Sequence, residues 1–302
     1  MGKEIVMKIL MIGATGEFAG LVLPELKRRG AIVRALIHNP KSEKPARDRG
    51  ADEIAMGDLA DTRSLIAAAQ GVDSVFHINP AFVPDEARLG TNMVDAAVAA
   101  GAKKIVFSGV LHPSYLELSN HAAKLPVEQA IYTSGLAYTV LQPTIFMQGT
   151  VRPAAWPQIV QHRQFAMPYS KEKKAAYVDY RDVAEAAALA LTSDRLDYGT
   201  FELCAPGMLT RTEIAALMTE AAGVPIQAVD VPFDHWVQLA QVPEGPLRDV
   251  LRPRSPKSTR TGSPAAMDSC SGLFSAANRA RSGNFSVTSP RKNKPSQLRC
   301  PW

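Results

Sequence analysis

The chain has 302 residues, with 34 Lys plus Arg against 29 Asp plus Glu, for a formal charge of +5. That excess is local: residues 251–302 hold ten basic residues and one acid, a net +9, while the first 250 hold 24 basic and 28 acidic residues, a net −4. The main body is therefore not built as a nucleic-acid binder; no run of about 18 apolar residues marks a membrane span; and three cysteines, Cys204, Cys270 and Cys300, exclude a disulfide framework or a Cys-rich metal centre.

The start, Met1-Gly-Lys-Glu, enters an apolar run at once and shows no cleavage site. It reads as a strand and not as a signal peptide, so the expected location is cytoplasmic. The run 5–12 has the continuous apolar character of a strand buried on both faces. Glycines follow, then a helix that stops on Lys27-Arg28-Arg29-Gly30, basic residues in the last turn followed by Gly. Pro24 lies inside that helix and should kink or tighten its first part. Further strands are predicted over 32–37, 54–56, 72–78, 105–107 and 138–141. Helices are predicted over 62–70, with Asp61 as N-cap, over 85–100 and over 121–134, the last two closing on Gly101 and Gly135. Strands alternating with helices of this length imply right-handed crossovers and a doubly wound parallel sheet, the Rossmann arrangement.

After Pro143 the rhythm changes. Residues 149–175 read as irregular. A short strand is expected at 177–178, a helix over 183–191, a strand over 200–203, a helix over 210–222 opened by the capping box Thr210-Arg-Thr-Glu213, and a short strand over 226–229. The expected organisation is a nucleotide-binding domain over 1–148, a smaller substrate lobe over 149–250 packed on it, and a tail over 251–302. The tail mixes ten serines, six prolines and ten basic residues without period. That composition is expected to be disordered, although a change of reading frame near Arg252 would also produce it.

The strongest motif is Gly13-Ala-Thr15-Gly16-Glu17-Phe18-Ala19-Gly20, between a buried strand and a helix. In that context Gly13 permits a tight turn, Gly16 lets the backbone approach a pyrophosphate at the helix N-terminus, and Ala19 allows close helix–strand packing. The end of the second strand reads His38-Asn39-Pro40-Lys41 and contains no acid. An acid there would bind the ribose 2′-hydroxyl of NAD and repel a 2′-phosphate. Lys41, His38 and nearby Arg34 suit a phosphate, so NADP(H) is the preferred cofactor and NAD(H) stays open. Asp58 and Leu59 follow the third strand, where an Asp can meet the adenine amino group and Leu its ring. Ile78-Asn79-Pro80 and Ser108-Gly109 end the fourth and fifth strands, at the carboxyl edge where open sheets bind ligands.

Together with Val33-Arg-Ala-Leu, Gly57-Asp58, the stretch from Ser134 to Pro143 and Tyr177-Val-Asp-Tyr-Arg-Asp-Val-Ala184, the Gly13 motif resembles the NmrA-like group of atypical short-chain dehydrogenases over about residues 6–250. The resemblance implies NADPH-dependent reduction of quinones, azo or triphenylmethane dyes or isoflavone-type substrates, or else redox sensing without turnover. It places Lys124 near the nicotinamide ribose, and Pro143 and Ile145 stand with it among the candidate cofactor contacts. It also implies that Asp179, Arg181 and Asp182 open a structural helix. The chain departs from the group where Arg is usual: it has His38 and Gln142. Family members continue as a folded C-terminus where this chain turns Ser- and Arg-rich.

Standard short-chain dehydrogenases place a Tyr four residues before a Lys, one helical turn apart. Here position 120 is Asn, in Asn120-His121-Ala-Ala-Lys124. Lys124 could hold the cofactor or polarise a carbonyl, or be a plain helix lysine. His121 could donate a proton near neutral pH, or be a surface residue. Hydride transfer to a quinone or an activated dye needs little acid–base help, because water can supply the proton; positioning against a flat acceptor is the main task. Phe82, Pro143, Ile145, Phe146, Met147 and Trp156 are candidate walls, and of these Phe82, Phe146, Met147 and Trp156 are assigned to the substrate pocket. No His pair has metal-ligand spacing and no G-x-S-x-G occurs, so no metal is expected. The expected partner is a small-molecule substrate, with no specific nucleic acid and no membrane, for a monomer or homodimer. Two functions lead, a reductase of small planar acceptors and a non-catalytic NADP(H)-sensing regulator acting through a protein partner; a third, nucleic-acid binding through the tail over 251–302, rests on charge alone.

Overall fold

The structure, a computed structural model, describes residues 6–150, 155–242, 244, 245 and 248. The expected tail over 251–302, with Cys270 and Cys300, lies outside the described residues. The elements in chain order are β1 (Lys8–Ile12), α1 (Val22–Arg28), β2 (Ile32–Ile37), α2 (Glu43–Asp48), β3 (Glu53–Met56), α3 (Thr62–Ala69), β4 (Ser74–Ile78), α4 (Glu86–Ala99), β5 (Lys104–Ser108), α5 (Ser119–Ala122), α6 (Leu125–Thr133), β6 (Ala137–Pro143), β7 (Ile145–Phe146), α7 (Met147–Thr150), α8 (Trp156–His162), β8 (Gln164–Met167), β9 (Tyr177–Val178), α9 (Tyr180–Thr192), β10 (Gly199–Leu203), α10 (Arg211–Ala222), β11 (Gln227–Asp230) and α11 (Phe233–Leu239).

The main sheet has seven strands in the order β10-β6-β5-β4-β1-β2-β3, every neighbouring pair parallel. It belongs to a first unit, residues up to 144 together with 178–203. The apolar run of β1 supplies both faces, as the two-residue period of a strand requires. Leu10 and Ile12 join Val75, Ile105, Phe107 and Val140 in a core closed by Leu65, Met93, Val127 and Ile131 from α3, α4 and α6. On the other face α9 buries Tyr180, Val183, Ala184 and Ala187–Leu191. Its alanines leave room for close packing beside α1 and against the sheet. Each large aliphatic side chain removed from water in these layers contributes about 1.5–3 kcal/mol.

Several expectations shift. The helix expected over 121–134 is two pieces, α5 and α6, because Pro126 has no N–H to donate to Ala122 O. The helix after the glycines begins as a 3-10 turn, Ala19–Leu21, before α1; Pro24 cannot donate to Gly20 O, so regular α-helix starts only at Val22. The segment expected to be irregular over 149–175 contains α8 and β8. The helix and strand assigned to the smaller lobe return to the first unit: β10 pairs in parallel with β6, Gly199 opposite Thr139 and Leu203 opposite Pro143.

The second unit, 145–177 with the residues after 203, holds a small core of Phe165, Tyr177, Ile214, Ala215, Met218 and Ile226. There β8 and β11 pair in parallel, Phe165 opposite Ala228. The expected capping box opens α10: Thr210 Oγ1 accepts from Glu213 N at 3.0 Å, and the Glu213 carboxylate accepts from Thr210 N at 2.7 Å. Arg211, unremarked in the sequence, is 1 % exposed. Its guanidinium donates to the carbonyls of Val229 and Tyr169 and to the Asp230 carboxylate, and lies 4.8 Å from the centre of the Tyr169 ring.

Candidate functional site

The strand order reverses between β1 and β4, which makes that carboxyl edge the expected ligand crevice. The chain leaves β1 at Gly13, whose φ of +77° is in the left-handed region. Gly16 N donates to Gly13 O at 2.8 Å and closes a tight turn. A Cβ at Gly13 would stand 3.0 Å from Ala19 Cβ and 3.3 Å from Ile78 Cγ2, so the loop lies directly against the end of β4. Thr15 is half-buried, Glu17 is exposed, and Phe18 tilts its ring on Tyr180 with the ring centres 5.6 Å apart. Side-chain-poor backbone at the switch point fits the pyrophosphate of a dinucleotide. At the end of β4 the buried Oδ1 of Asn79 has no hydrogen-bond partner among the described residues, an unmet acceptor at the same edge.

His38, Asn39 and Lys41 are exposed beyond the end of β2. Asn39 Oδ1 accepts from Lys41 N at 2.9 Å and fixes the turn that carries the lysine. Arg34 is not available to a phosphate: it pairs with Glu53 at 2.7 Å and donates to Ala68 O and Gln70 O. Asp58 is exposed and its Oδ1 accepts from Ala60 N at 2.8 Å, while Leu59 packs against the core of the first unit. One basic residue that no motif singled out reaches the glycine loop. Arg49 Nη1 donates to Gly16 O at 2.7 Å and to Ala14 O at 3.2 Å. It lies far along the chain from the loop, so no local spacing could reveal it.

At the edges of β4, β5 and β6 the side chains form a buried polar network. Lys124 Nζ lies 2.6 Å from Glu86 Oε1, with side-chain exposures of 8 % and 4 %, and also donates to Asn120 O. Glu86 Oε2 accepts from Phe82 N at 3.0 Å, and Asn79 Nδ2 donates to Glu86 O at 3.1 Å. Phe82 has φ +63°, an uncommon conformation for an aromatic residue, and Glu86 helps to hold it there. Lys124 is thus not the plain exposed lysine of the alternative reading, and its charge is already balanced. His121 Nδ1 lies 3.1 Å from His112 O. Burial pushes its pKa down against that hydrogen bond, and the Lys124 charge adds to the lowering. A lowered pKa favours the neutral ring and so weighs against His121 as a proton donor.

Ser108, expected among the cofactor contacts, ends β5 at the same edge. Its side chain is fully buried and its Oγ accepts from Tyr180 OH at 3.0 Å, so the hydroxyl is committed inside the unit. Gly109 and Pro143 are buried at the same edge; Gly109 N donates to Leu141 O and Leu111 N to Pro143 O. Pro80 is half-buried. Glu128, another residue missed in the sequence, is 2 % exposed. It accepts from Gln142 Nε2 at 2.9 Å and Tyr132 OH at 3.2 Å, and burial raises its pKa against these two hydrogen bonds.

In the second unit Ile145 is exposed and Phe146 half-buried. Met147 and Trp156 pack against that unit's own core. The unit also carries an open groove of about 430 Å³ lined by Pro168, Tyr169, Ser170, Lys173, Asp230, Val231 and Pro232, none of them singled out in the sequence. Among the described residues no group of three His, Cys, Asp or Glu could hold a metal, and no helix is long and apolar enough to cross a membrane.

The sequence profile of the NmrA-like family matches residues 6–252. An NAD(P)H azoreductase of Xenophilus azovorans is 31 % identical over 233 residues, covering 76 % of this chain and 79 % of its own. Quinone oxidoreductase 2 of Escherichia coli is 26 % identical over 248 residues, covering 80 % and 85 %. Among solved structures, the triphenylmethane reductase of Citrobacter sp. complexed with NADP(H) superposes with a TM-score of 0.70 at 22 % identity, over 88 % of this chain and 91 % of that one. At that identity the likeness is one of fold.

Proposed function

The chain belongs to the NmrA-like family, and on that premise we propose that it is an NAD(P)H-dependent reductase that passes a hydride to a small planar acceptor, a quinone or an azo compound. The observation that carries this reading is the glycine turn at the switch point of the sheet, with the Ile78–Pro80 edge directly beside it. The azoreductase and quinone oxidoreductase among its relatives support it. NADP(H) is preferred because the end of β2 offers exposed His38 and Lys41 and no acid.

When bound, the reduced nicotinamide supplies a hydride. The chain's own residues bind, orient and shelter it. The backbone of 13–16 takes the pyrophosphate, with Thr15, Glu17 and Phe18 around the turn. His38, Asn39 and Lys41 take the adenine ribose side, and Asp58 and Leu59 the adenine. Ile78, Asn79, Pro80, Gly109, Pro143 and Lys124 frame the nicotinamide side, Ser108 through its backbone alone. Phe82 is an acceptor wall fixed by Glu86. Ile145, Phe146, Met147 and Trp156 are the apolar candidates that the second unit offers to ligands. Water supplies the proton that a reduced quinone or azo compound takes up, so the lack of a Tyr at position 120 is no obstacle.

The test mixes protein, NADPH and a panel of quinones and azo dyes and follows loss of nicotinamide absorbance. Turnover is expected. Tight NADPH binding with no turnover would favour the regulator acting through a protein partner, a reading that gains from the commitment of Lys124 to Glu86. Absence of NADPH and NADH binding would overturn both.

A further inference from the structure

The segment 32–49, from β2 to the residue that caps α2, carries five permanent cations, Arg34, Lys41, Lys44, Arg47 and Arg49. Three are neutralised: Arg34 by Glu53, Lys44 by Asp48 and Arg47 by Glu43. Lys41 and Arg49 have no ion-pair partner among the described residues. Arg49 is nevertheless fixed. Both of its bonds use Nη1, on the carbonyls of Ala14 and Gly16. A guanidinium has five N–H donors in a rigid fork, so Nε–H and the Nη2 hydrogens are left without a partner among the described residues. Exposed cations usually gain little by staying in one place, because ordering a long side chain costs entropy. Here two carbonyls of the nucleotide loop hold the fork beside that loop.

The sequence accommodates this arrangement at one position. A Cβ on Gly20 would stand 2.0 Å from Arg49 Nη1 and 3.1 Å from Ala14 O. The last glycine of the motif thus does more than start a helix: its bare backbone is the gap through which the guanidinium reaches the loop. Arg49 also takes up loop carbonyls, the acceptor side of the peptide groups, and adds positive charge next to amides that would face a phosphate.

We propose that Arg49 is the specificity-determining residue for the adenine ribose phosphate: seated on Ala14 O and Gly16 O, it offers its unused N–H groups to the 2′-phosphate of NADPH, with Lys41 and His38 as the outer part of the same anion site. The proposal rests on the dinucleotide reading above and deepens it.

The test measures Kd for NADPH and for NADH by nicotinamide fluorescence on the full chain, in wild type, Arg49→Gln and Gly20→Ala. A charge-assisted hydrogen bond to phosphate accounts for roughly 10- to 100-fold in affinity. The wild type should prefer NADPH. In Arg49→Gln the NADPH Kd should rise at least about tenfold while the NADH Kd changes less than about threefold. Gly20→Ala, which keeps the charge but evicts the side chain from the loop, should lose the same preference. Competition by adenosine 2′,5′-bisphosphate against 5′-AMP reads the phosphate alone and should show the same loss. If Arg49→Gln weakens NADPH and NADH equally, Arg49 only braces the loop and the proposal falls while the dinucleotide site stands. An unchanged preference in Arg49→Gln, or a wild type that favours NADH, overturns it too. A wild type that binds neither nucleotide removes the dinucleotide reading itself.

Discussion

Replacing Lys124 by Met removes one half of a buried ion pair and leaves Glu86 where it is. In the wild type the two groups are 2.6 Å apart and each is less than a tenth exposed. In Lys124→Met the Glu86 carboxylate keeps, among the described residues, the Phe82 N–H at 3.0 Å. Breaking such a pair from one side costs about 3–5 kcal/mol, because a charge is left buried without compensation. In a protein of this size each kcal/mol corresponds to about 2–4 °C in Tm, so the variant should melt about 6–20 °C below wild type. Glu86→Gln on top of Lys124→Met removes the stranded charge and should recover most of that loss, since a buried pair is often no better than neutral side chains of similar volume. Thermal melts of the wild type, the single and the double variant by far-UV circular dichroism check the cycle. The reasoning is refuted if the single variant melts within about 2 °C of wild type, or if the double variant is no more stable than the single. The same double variant decides a second question: an NADPH Kd that rises despite restored stability assigns Lys124 to the cofactor as well as to Glu86.

Other consequences are open to measurement. Glu128 carries a raised pKa from burial, so folding favours its protonated form and wild-type stability falls as pH rises from about 4.3 through the raised folded value. Glu128→Gln should therefore gain on wild type in urea midpoint between pH 4 and pH 8; a difference that stays constant across that range would remove the titration. In Gly90→Ala the new Cβ would meet Val127 Cγ2 at 2.4 Å and Asn79 Oδ1 at 2.6 Å, overpacking that costs about 1–3 kcal/mol. A midpoint unchanged from wild type would mean that α4 does not approach α6 this closely. Tyr180→Phe leaves the buried Ser108 hydroxyl without its donor, at a cost of about 1–2 kcal/mol, with NADPH affinity unchanged. A large loss of affinity would add the Ser108 hydroxyl to the ligand contacts.

The fold was legible wherever period and punctuation agreed. The apolar runs of β1, β2 and β4 and the glycine stops gave the parallel sheet, because a strand buried on both faces has few other sequence signatures. The helix over 121–134 was read without its break, since Pro126 sits within an otherwise good pattern and only the missing bond to Ala122 O splits it. The place of β10 was not legible: whether Gly199–Leu203 pairs with β6 or with a strand of a smaller lobe depends on partners distant in the chain. The glycine loop was readable for the same reason that the first strands were, its context being local. Arg49, Glu86 and Glu128 were not, because each acts on residues far away in sequence. Ser108 shows the converse limit, a polar residue at the right edge whose hydroxyl turns inward to Tyr180.

The main sheet is completed late in the chain. Strand β6 ends at Pro143, and its outer neighbour β10 begins only at Gly199; between them the chain passes through β7, α7, α8 and β8, elements of the second unit, before α9 brings it back. During synthesis, at about 5–20 residues per second, β6 is therefore an unpaired sheet edge for several seconds. An edge of that kind is a template for pairing with another chain. A fragment ending at residue 148 would keep that edge for good and lose the α9 layer over one face, so it should aggregate. The unit that carries the glycine turn cannot be cut free with a single break, and chaperone dependence of the nascent chain should end only once residue 203 has emerged.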